Sequence, residues 1–381
     1  LIFLGNRPRS RYHYQGKPPV TAVLAFFIGL KMKWIEPGYS KEKVKKAGKA
    51  IINAKINTSE FESAATIFFN WRSAHVFPMQ IMLDLLRKNA IRIDKNTVVV
   101  QRLKRVPSIL VKLDREQSMN LSRMEDIAGC RAVVNNTKSV YRVYKNLKNS
   151  RSKNILFRER DYIAEPKESG YRGIHLIYKY NGSKKKFHGL PVELQIRSKV
   201  QHSWATAVEV VGTFTKQALK ASSGDFRWLE FFKYASVEFT KLEGIEYLEK
   251  NGSTDVFEKL DSLVIELEVE KRLDAFNVAV KTLTDSEKNR SSYYFILLLD
   301  LKKRVISISK FNKSQLSEAT DHYDSEEKKY KEDNTKDLVM VSAKSVKDLK
   351  KAYPNYFSDT VEFSKNLAKV YKANKKIQLT V

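Results

Sequence analysis

A short polar turn that leads directly into an apolar strand constrains this chain more than any other feature. The turn spans residues 123–131 and reads RMEDIAGCR. Ser122 and Glu125 stand three residues apart, which predicts a capping box at the start of the turn. The residues Arg131–Val134 that follow are typical of a buried strand. Asp126 is thereby predicted to lie beside the start of that strand, where a carboxylate is better placed to bind a cation than to pack.

A second predicted strand carries polar side chains at every other position. In the segment Val192–Arg197, Glu193, Gln195 and Arg197 alternate with apolar residues. Because successive side chains of a strand point to opposite faces, the three polar residues share one face and the apolar residues face the core. Glu193 therefore joins Asp126 as the pair of candidate catalytic and metal-binding acids. The alternative is that both acids are structural.

A basic segment precedes the turn and runs into a predicted helix. Arg102 and Lys104 lie before Ser108, and Lys112 follows that serine by four residues. A helix over residues 108–112 places Ser108 and Lys112 on one face, since residues four apart are neighbours on a helix surface. These cations favour contact with phosphate groups. The alternative is a basic helix that is simply solvated.

The composition of the chain favours anionic partners. Its 381 residues include 70 Lys and Arg against 43 Asp and Glu, a formal net charge of +27. Such a balance suits nucleotides, RNA or an anionic membrane surface, or else reflects a solvated lysine-rich surface. The single cysteine, Cys130, excludes a disulfide within the chain and a multi-cysteine zinc finger. No apolar run reaches the roughly 20 residues needed to span a bilayer, so we expect a cytoplasmic protein without stable membrane insertion.

Five sequence blocks, taken in order and at their separations, resemble the synthetase domain of the RelA/SpoT family, the synthetases of the alarmones ppGpp and pppGpp. The blocks are QRLKRVPSILVKLDRE (101–116), RMEDIAGCR (123–131), RDYIAEPKESGYRGIH (160–175), VELQIRS (192–198) and QHSWATAVE (201–209). The resemblance is close over Lys104–Glu209 and looser from Trp34 onwards. It implies an α+β fold, with a nucleotidyltransferase-like mixed sheet flanked by helices.

The resemblance also implies an ATP site and a magnesium site. The implied ATP-binding residues are Arg102, Lys104, Ser108, Lys112 and Arg131. Asp126 is implied to bind Mg²⁺, and Glu193 to complete the metal site and to take the proton from the attacking ribose 3'-hydroxyl. Magnesium suits a site with few carboxylates that shares its ion with phosphate groups. Transfer of pyrophosphate requires charge neutralisation and in-line positioning more than covalent chemistry.

The segment Lys167–His175 corresponds to the acceptor loop of the family. Glycines bracket Tyr171 and Arg172, so the tyrosine ring would be presented flat for stacking on a base while lysine and arginine meet phosphate. The implied acceptor-binding residues are Lys167, Tyr171, Arg172, His175, Gln195 and Arg197. Ser169 and Gly173 depart from the residues common in the family, which leaves the identity of the base open.

Accessory polar residues follow on the next predicted helix and in a nearby turn. His202 and Glu209 lie seven residues apart and hence on one helical face, while Trp204 is turned toward packing. The resemblance is good at His202 and Trp204, but Glu209 is displaced by one position, so Glu209 is either accessory or structural. The run Lys184–Lys186, followed by Phe187, is either a solvated turn or a contact for RNA phosphates.

The sequence is compatible with three functions. The resemblance implies pyrophosphate transfer from ATP to GTP or GDP, and the absence of any His-Asp dipeptide predicts that the hydrolase of bifunctional relatives is missing. Toxic relatives instead modify the 3'-CCA end of tRNA or adenine nucleotides, and the positive charge keeps tRNA open as a partner. The third function is an inactive scaffold that binds RNA or a protein partner.

The predicted organisation has five segments. Residues 1–31, basic and then apolar, are interpreted as an upstream extension, because Met32 begins a segment like the start of longer relatives. Residues 32–97 form a helical region, 98–242 the synthetase domain, 243–290 a helical connector, and 291–381 a small ββαβα module. We expect that module to bind a regulatory ligand or partner, and the oligomeric state is left open, a homo-oligomer included.

Finer patterns predict individual elements. The predicted helices are Lys41–Ile52, Ser59–Asn89, Ser139–Leu147, Val200–Ala221 and Phe257–Leu283. The predicted strands of the synthetase domain are Arg131–Val134, Ile155–Ile163, Ile174–Tyr180 and Leu190–Arg197, the last two joined by a hairpin turn at Asn181–Ser183. Arg72 and His75 fall on the face of the second helix that should be buried. There they either brace the helix or order the phosphate-binding segment.

Overall fold

Five strands of alternating apolar and polar residues form the central sheet of the computed structural model. They are β1 (Val98–Leu103), β2 (Ala128–Val134), β3 (Ile155–Asp161), β4 (Ile174–Lys179) and β5 (Pro191–Ser198). The structure describes residues 34–53, 58–104, 106–116, 118–214, 225–245, 256–273, 281–284, 293–300, 305–312, 336–343 and 360–378, with a few single positions between them. The sequence predicted the last four strands within a few residues and missed β1.

The topology of this sheet sets two functional segments side by side. The strand order is β1-β2-β5-β4-β3, with β2 and β5 parallel and every other pair antiparallel. The parallel pairing places Gly129 opposite Glu193 and Arg131 opposite Gln195. The start of β2, which the acidic turn leads into, therefore lies beside the polar residues of β5. The mixed sheet and its flanking helices confirm the predicted α+β fold.

One face of the central sheet is buried in a first hydrophobic core. The helices of this half are α1 (Lys41–Asn53), α2 (Ser59–Ala74), α3 (Val76–Ile93), α4 (Val106–Arg115) and α5 (Thr137–Lys148). Alternate residues of the strands enter the core, among them Ala128, Cys130 and Ala132 of β2 and Val192, Leu194 and Ile196 of β5. Cys130 is buried, as predicted, and burial raises the pKa of its thiol well above the usual range. It is a small core residue and not a reactive thiol.

The predicted helix Ser59–Asn89 is two helices in the structure, divided at His75. His75 ends α2 and precedes α3. Pro78 lies in the first turn of α3, where its missing N–H is tolerated. In a continuous helix its ring would clash with the carbonyl of Ala74, so the chain breaks one turn earlier.

The turn that carries Asp126 is capped by Asn120, so the predicted capping box of Ser122 and Glu125 is wrong. The side-chain oxygen of Asn120 accepts the backbone N–H three residues on at 3.1 Å and closes a 3-10 turn. Because the cap comes two residues earlier than predicted, Glu125 lies beyond the turn. Its carboxylate instead forms an ion pair with Arg158 at 3.2 Å.

The connection between β4 and β5 is longer than the tight hairpin turn predicted at Asn181–Ser183. It occupies residues 180–190 and contains a 3-10 turn whose Phe187 is buried against Phe77, with ring centroids 4.8 Å apart. Lys184 lies over the ring of Phe77, and Lys186 pairs with a glutamate near the start of the described chain. Two of the three lysines of this run therefore contact the N-terminal region of their own chain.

A second hydrophobic core forms from the helices that follow the sheet. These helices are α6 (Lys199–Phe214), α7 (Phe226–Leu242) and α8 (Val256–Glu266). Trp204 of α6, Phe231 and Phe232 of α7, and Leu260 of α8 are buried together in it. The predicted extension of α6 to Ala221 lies mostly outside the described residues.

A separate four-stranded sheet contains the strands of the predicted ββαβα module. Its strands are β6 (Lys281–Thr284), β7 (Tyr293–Asp300), β8 (Val305–Asn312) and β9 (Lys336–Ala343), in the order β6-β8-β7-β9. β6 was predicted as the end of the helix Phe257–Leu283. That helix stops at Glu266, and Glu268 has a positive φ of 46°, which a continuing helix does not allow. The predicted connector 243–290 thus contributes a strand to this sheet.

The last described helix, α9 (Val361–Gln378), returns to the second core. Its residues Phe363, Leu367 and Val370 are buried there against α6 and α7. The segment predicted as an independent module, 291–381, is therefore joined to the synthetase-like half by a shared core. The helix predicted between the second and third strands of the ββαβα module lies mostly outside the described residues, and residues 1–31 lie wholly outside them. Within the described chain, no helix combines the length and apolarity needed to cross a membrane.

Candidate active site

The polar residues predicted from the sequence gather on the face of the central sheet opposite the first core, here called the site face. Alternation along the strands puts them there, since their neighbours in sequence are the buried residues of the first core. The site face carries Arg102 of β1, Arg131 of β2, His175 of β4, and Glu193, Gln195 and Arg197 of β5. Lys104 follows β1, and Asp126 precedes β2. Side chains from four strands and the residues next to them thus converge.

Asp126 is held by two lysines of the basic segment. Lys104 Nζ donates to Asp126 Oδ2 at 3.0 Å, and Lys112 Nζ donates to Asp126 Oδ1 at 3.1 Å. Burial alone would raise the pKa of the carboxyl group, but these two ammonium groups outweigh it and hold the pKa below its usual value. Asp126 is therefore an anion at neutral pH.

Glu193 lies within the same electrostatic environment. It accepts from His175 Nδ1 at 2.8 Å and from Gln195 Nε2 at 2.7 Å. Burial opposes ionisation, yet the charge that His175 carries when it is protonated, the hydrogen bonds from His175 and Gln195 and the charge of Lys104 bring the pKa of Glu193 to about 2. Lys104 thus stabilises both carboxylates, and Glu193 in turn raises the pKa of Asp126. Two ionised acids close enough to repel each other occupy one site.

This donor set fits a divalent cation. Among the described residues, no three or more His, Cys, Asp or Glu side chains gather as ligands. Two carboxylates match the preference of Mg²⁺ for a few carboxylates together with phosphate and water oxygens. Asp126 and Glu193 are the side chains that would hold the ion.

Three arginines form a cationic group beside the acids. Arg131 Nε donates to Gln195 Oε1 at 3.2 Å, and Arg197 Nη2 donates to the same oxygen at 3.1 Å. Burial first, and then the charges of Arg197 and Arg102, lower the pKa of Arg131 to about 10. Cations held this close are stabilised by a bound anion. The group is therefore suited to the phosphates of a ligand.

His202 and Glu209 of α6 lie next to these arginines, as their mutual electrostatic effects show. Burial, followed by the charges of Arg131 and Arg197, lowers the pKa of His202 well below its usual value. Its Nδ1 is buried with no hydrogen-bond partner among the described residues. His202 is thus neutral at physiological pH.

Tyr171 is the centre of a hydrogen-bonded chain across the site face. Arg197 Nε donates to the Tyr171 hydroxyl at 3.0 Å, and that hydroxyl lies 2.6 Å from His175 Nε2. Because a carboxylate only accepts, His175 Nδ1 carries the proton toward Glu193, and its Nε2 accepts from Tyr171. Burial lowers the pKa of His175, which keeps the ring neutral in this tautomer. The chain fixes the orientation of the tyrosine ring and of the Glu193 carboxylate together.

Tyr162 is a site residue that the sequence prediction missed. Its ring centroid lies 5.8 Å from that of Tyr171 and 5.2 Å from that of His175. Lys167 Nζ sits 4.7 Å from the centroid of Tyr162 and 5.3 Å from that of Tyr171. The position of Tyr162 within the block RDYIAEPKESGYRGIH was the available signal, because the residue directly follows a strand that pairs with β4.

Arg172 is not brought to the site, contrary to the prediction that it binds the acceptor. Its guanidinium is buried, with Nε donating to Ser236 Oγ at 3.2 Å and Nη1 donating to the carbonyl of Ile163 at 3.3 Å. Adjacent residues of an extended loop point in opposite directions, so Arg172 faces α7 because Tyr171 faces the site. Lys167 remains exposed at the rim of the site.

The basic segment is ordered by a residue outside it. Arg72 Nε of α2 donates to the backbone carbonyl of Lys104 at 2.8 Å. This contact agrees with the hypothesis that Arg72 orders the phosphate-binding segment. Ser108 lies half-buried on α4, one turn before Lys112, as its predicted helical position requires.

A mixed sheet whose open face carries two carboxylates among lysines and arginines is suited to phosphorylated ligands. The comparisons with known proteins place this domain in a family. Residues 101–213 match the region found in RelA/SpoT proteins. Residues 101–213 thus form a synthetase domain of the RelA/SpoT type, which confirms the resemblance over that segment.

Two curated relatives match parts of the same segment. The GTP pyrophosphokinase YjbM of Bacillus subtilis is 38% identical over 115 residues, 28% of this chain and 52% of that protein. The probable chloroplastic GTP diphosphokinase RSH3 of Arabidopsis thaliana is 30% identical over 105 residues, 28% of this chain and 14% of that protein. The chain thus spans about half the length of the first relative and a small part of the second.

Solved structures of small alarmone synthetases from Bacillus subtilis also align with the chain. Synthetase 1 bound to its product pppGpp is 31% identical and aligns over 38% of this chain and 74% of its own, with a TM-score of 0.33. Synthetase 2 is 24% identical and aligns over 44% of this chain and 91% of its own, with a TM-score of 0.36.

Proposed function

We propose that this protein is an alarmone synthetase, which transfers pyrophosphate from ATP to the ribose 3'-hydroxyl of GTP or GDP and releases AMP. The observation that carries the proposal is the pairing of two ionised acids, Asp126 and Glu193, around one lysine, Lys104, on the site face of a RelA/SpoT-family domain. The names of the relatives, GTP pyrophosphokinase and GTP diphosphokinase, support the same reaction.

In this proposal the cationic residues hold the ATP triphosphate. Arg102, Lys104, Ser108, Lys112 and Arg131 would make up the donor side of the site. Their charges favour the reaction because phosphoryl-type transfer depends on neutralising the phosphate oxygens and aligning the attacking and leaving groups. Asp126 and Glu193 would hold Mg²⁺, which when bound supplies further positive charge to the phosphates.

The acceptor side would be formed by the tyrosine loop and β5. Tyr171 offers an aromatic face for a nucleobase, with the cation of Lys167 beside it. His175, Gln195 and Arg197 complete the predicted acceptor-binding set. His202 and Glu209 are accessory residues at its edge.

Glu193 is the residue proposed to take the proton of the attacking hydroxyl. Its pKa of about 2 makes it fully ionised at neutral pH but a weak base in the free protein. The neutral ring of His175, hydrogen-bonded to it, orients the carboxylate and connects it to Tyr171. The geometry therefore supports Glu193 first as an anchor for positive charge and second as the proton acceptor.

A tRNA or adenine-nucleotide acceptor, as in toxic members of the family, is the second candidate function. The net charge of +27 favours it, because polyanions bind basic surfaces strongly. The absence of a His-Asp dipeptide supports synthesis without hydrolysis in either case. A regulatory ligand at the C-terminal sheet and a cytoplasmic location complete the proposal.

The deciding experiment incubates the full chain with ATP labelled in its β- and γ-phosphates and, separately, GDP, GTP, ATP and deacylated tRNA. Asp126→Asn is expected to lower turnover by at least about 100-fold, because it removes a charge that would hold the metal and order two lysines. Label on guanine nucleotides supports the first function, and label only on tRNA or adenine nucleotide supports the second.

The matched control is Glu125→Gln, which removes the same charge from the neighbouring residue. Glu125 pairs with Arg158 away from the two acids, so turnover is expected to stay within about 2-fold of the wild type. Unchanged turnover in Asp126→Asn, or no transfer by the wild type to any of the four acceptors, would refute the proposed function.

A further inference from the structure

A single buried serine of α7, Ser236, contacts both neighbours of Tyr171 in the chain. It binds the backbone of Gly170 and the side chain of Arg172. Ser236 Oγ donates to the carbonyl of Gly170 at 2.5 Å and accepts from Arg172 Nε at 3.2 Å. A hydroxyl has one proton to donate, and Ser236 donates it to Gly170, the residue before Tyr171. The same oxygen accepts a hydrogen bond from Arg172, the residue after Tyr171. Both chain neighbours of the tyrosine are therefore bound to one side-chain oxygen.

The loop lies directly against the surface of α7 at this point. Gly170 has a positive φ of 86°, and a Cβ there would approach Ser236 Cβ to 2.9 Å and Lys233 Cα to 3.1 Å. Only glycine combines that backbone conformation with so close an approach. Arg172 Nη1 also donates to the carbonyl of Ile163, which ties the far stem of the loop to the same arginine.

On its other side α7 is fixed by the C-terminal helix. Phe363 of α9 is fully buried, with its ring centroid 5.1 Å from that of Phe239, 5.9 Å from that of Phe232 and 6.0 Å from that of Phe231. Aromatic rings packed in this way resist movement, because core packing leaves few voids. The position of α7, and with it the position of Ser236, therefore depends on α9.

We propose that Ser236 is a positioning residue for the acceptor, and that the C-terminal helix sets its location through Phe363. This inference rests on the proposed function, in which Tyr171 faces the acceptor. Ser236 holds the backbone from which the Tyr171 ring projects. The ATP-binding residues lie on β1, β2 and α4 and have no contact with this serine. The proposal therefore predicts that Ser236 affects binding of the acceptor and not binding of ATP.

The test measures acceptor and ATP kinetics in the full chain for Ser236→Ala. The KM for the guanine nucleotide is expected to rise about 10-fold, while the KM for ATP stays within about 2-fold. Ser262→Ala is the matched control, since it removes a serine hydroxyl that bonds only the carbonyl of Glu258 one turn earlier on α8. Equal rises in both KM values, or none in either, would overturn the proposal.

Hydrogen exchange of the amides of residues 163–173 provides a readout that does not depend on activity. Exchange is expected to quicken in Ser236→Ala and in Arg172→Lys, which tests the same contact from the other side, and to stay unchanged in Ser262→Ala. If the loop of Ser236→Ala exchanges faster but the wild-type protein transfers no pyrophosphate, the proposed function fails and the positioning contact stands. If the wild type is active and both loop exchange and acceptor KM are unchanged, the positioning role fails.

The contribution of the C-terminal helix is tested by Phe363→Leu, which keeps most of the apolar volume but removes the ring. Loop exchange and the acceptor KM are expected to shift in the same direction as in Ser236→Ala, by less. The control Val361→Ala changes an exposed residue two positions earlier on the same helix. A normal loop and a normal acceptor KM in Phe363→Leu would confine the positioning role to Ser236.

Discussion

Residues outside the site determine the position of its most connected cation, Lys104. Arg72 binds the backbone carbonyl of Lys104, while the lysine side chain contacts Asp126 and stabilises the charge of Glu193. Arg72 occupies the last turn of α2, next to the helix break at His75. The ring of His75 is fully buried, and its Nδ1 bonds the carbonyl of Trp71 at 2.8 Å. Protonation of this histidine would therefore disturb the support of the site.

The first residue-scale prediction is that acid destabilises the fold through His75. Burial lowers its pKa from 6.5 to about 4. Below pH 6.5 the unfolded state binds a proton that the folded state refuses, so stability is lost as the pH falls from 6.5 toward 4. Between pH 7 and pH 5 the contribution of this group is a loss of about 2 kcal/mol.

Urea unfolding of the wild type and of His75→Gln at both pH values measures this contribution. The variant is expected to be less stable at pH 7, because its packing is worse, but to lose less stability on acidification. The exposed His322 offers His322→Gln as a control that should follow the wild type. An equal loss in His75→Gln and the wild type would contradict the prediction.

At the scale of elements, α1 supports the turn that delivers Asp126. Gly48 of α1 faces Leu121, the fully buried residue of the 3-10 turn. A Cβ on Gly48 would lie 2.7 Å from Leu121 Cβ and 3.4 Å from its backbone nitrogen. The helix and the turn are therefore in backbone-level contact, which only a glycine permits.

Gly48→Ala is expected to destabilise the protein although alanine is the better helix former. Alanine gains about 1 kcal/mol in helix propensity, but overpacking against a rigid Cβ costs about 1–3 kcal/mol. We expect a net loss on the order of 1 kcal/mol in urea unfolding, and lower transferase activity because the turn shifts. The neighbouring exposed Lys49→Ala introduces the same residue without the clash and should be nearly neutral, because lysine and alanine are both good helix formers. A stabilised Gly48→Ala would show that the helix can move away.

For the whole molecule, the main consequence of the structure is that the second core includes both ends of the C-terminal half. α8 precedes the C-terminal sheet and α9 follows it, and both pack against α7. The sheet is thus inserted between two helices of the core that supports the acceptor loop. A ligand or partner of the sheet would act on that loop through both helices.

Truncation after Leu242 is accordingly expected to yield an unstable protein and not a free synthetase domain. It uncovers Phe231, Phe232 and Phe239, and losing the packing of even one such ring typically costs about 3–5 kcal/mol. Soluble yield and thermal unfolding measure the effect. The control replaces residues 281–343 with a flexible linker and keeps α8 and α9. That variant should stay soluble and unfold cooperatively, and a stable truncation would show that the second core does not need these helices.

The local parts of the fold and site were predictable from the sequence. Alternation along β5 correctly placed Glu193, Gln195 and Arg197 on one face, because strand geometry has a period of two whatever surrounds it. Asp126 and the basic segment were predictable from their block pattern. Tyr162 was missed because no periodic pattern marks it, and β1 because its alternation is weak.

The sequence by itself thus determined which polar residues of β5 share one face and the resemblance to the family, since both depend on residue type and order within short segments. Only the tertiary structure decided which way Arg172 points, that α2 and α3 separate at His75, and that α9 returns to cover α7. These outcomes depend on which surfaces lie nearby after folding. Burial of an arginine against Ser236, or of Phe363 among aromatic rings, is stabilised by partners more than 60 residues away in the chain. Short-range sequence patterns do not predict such partners.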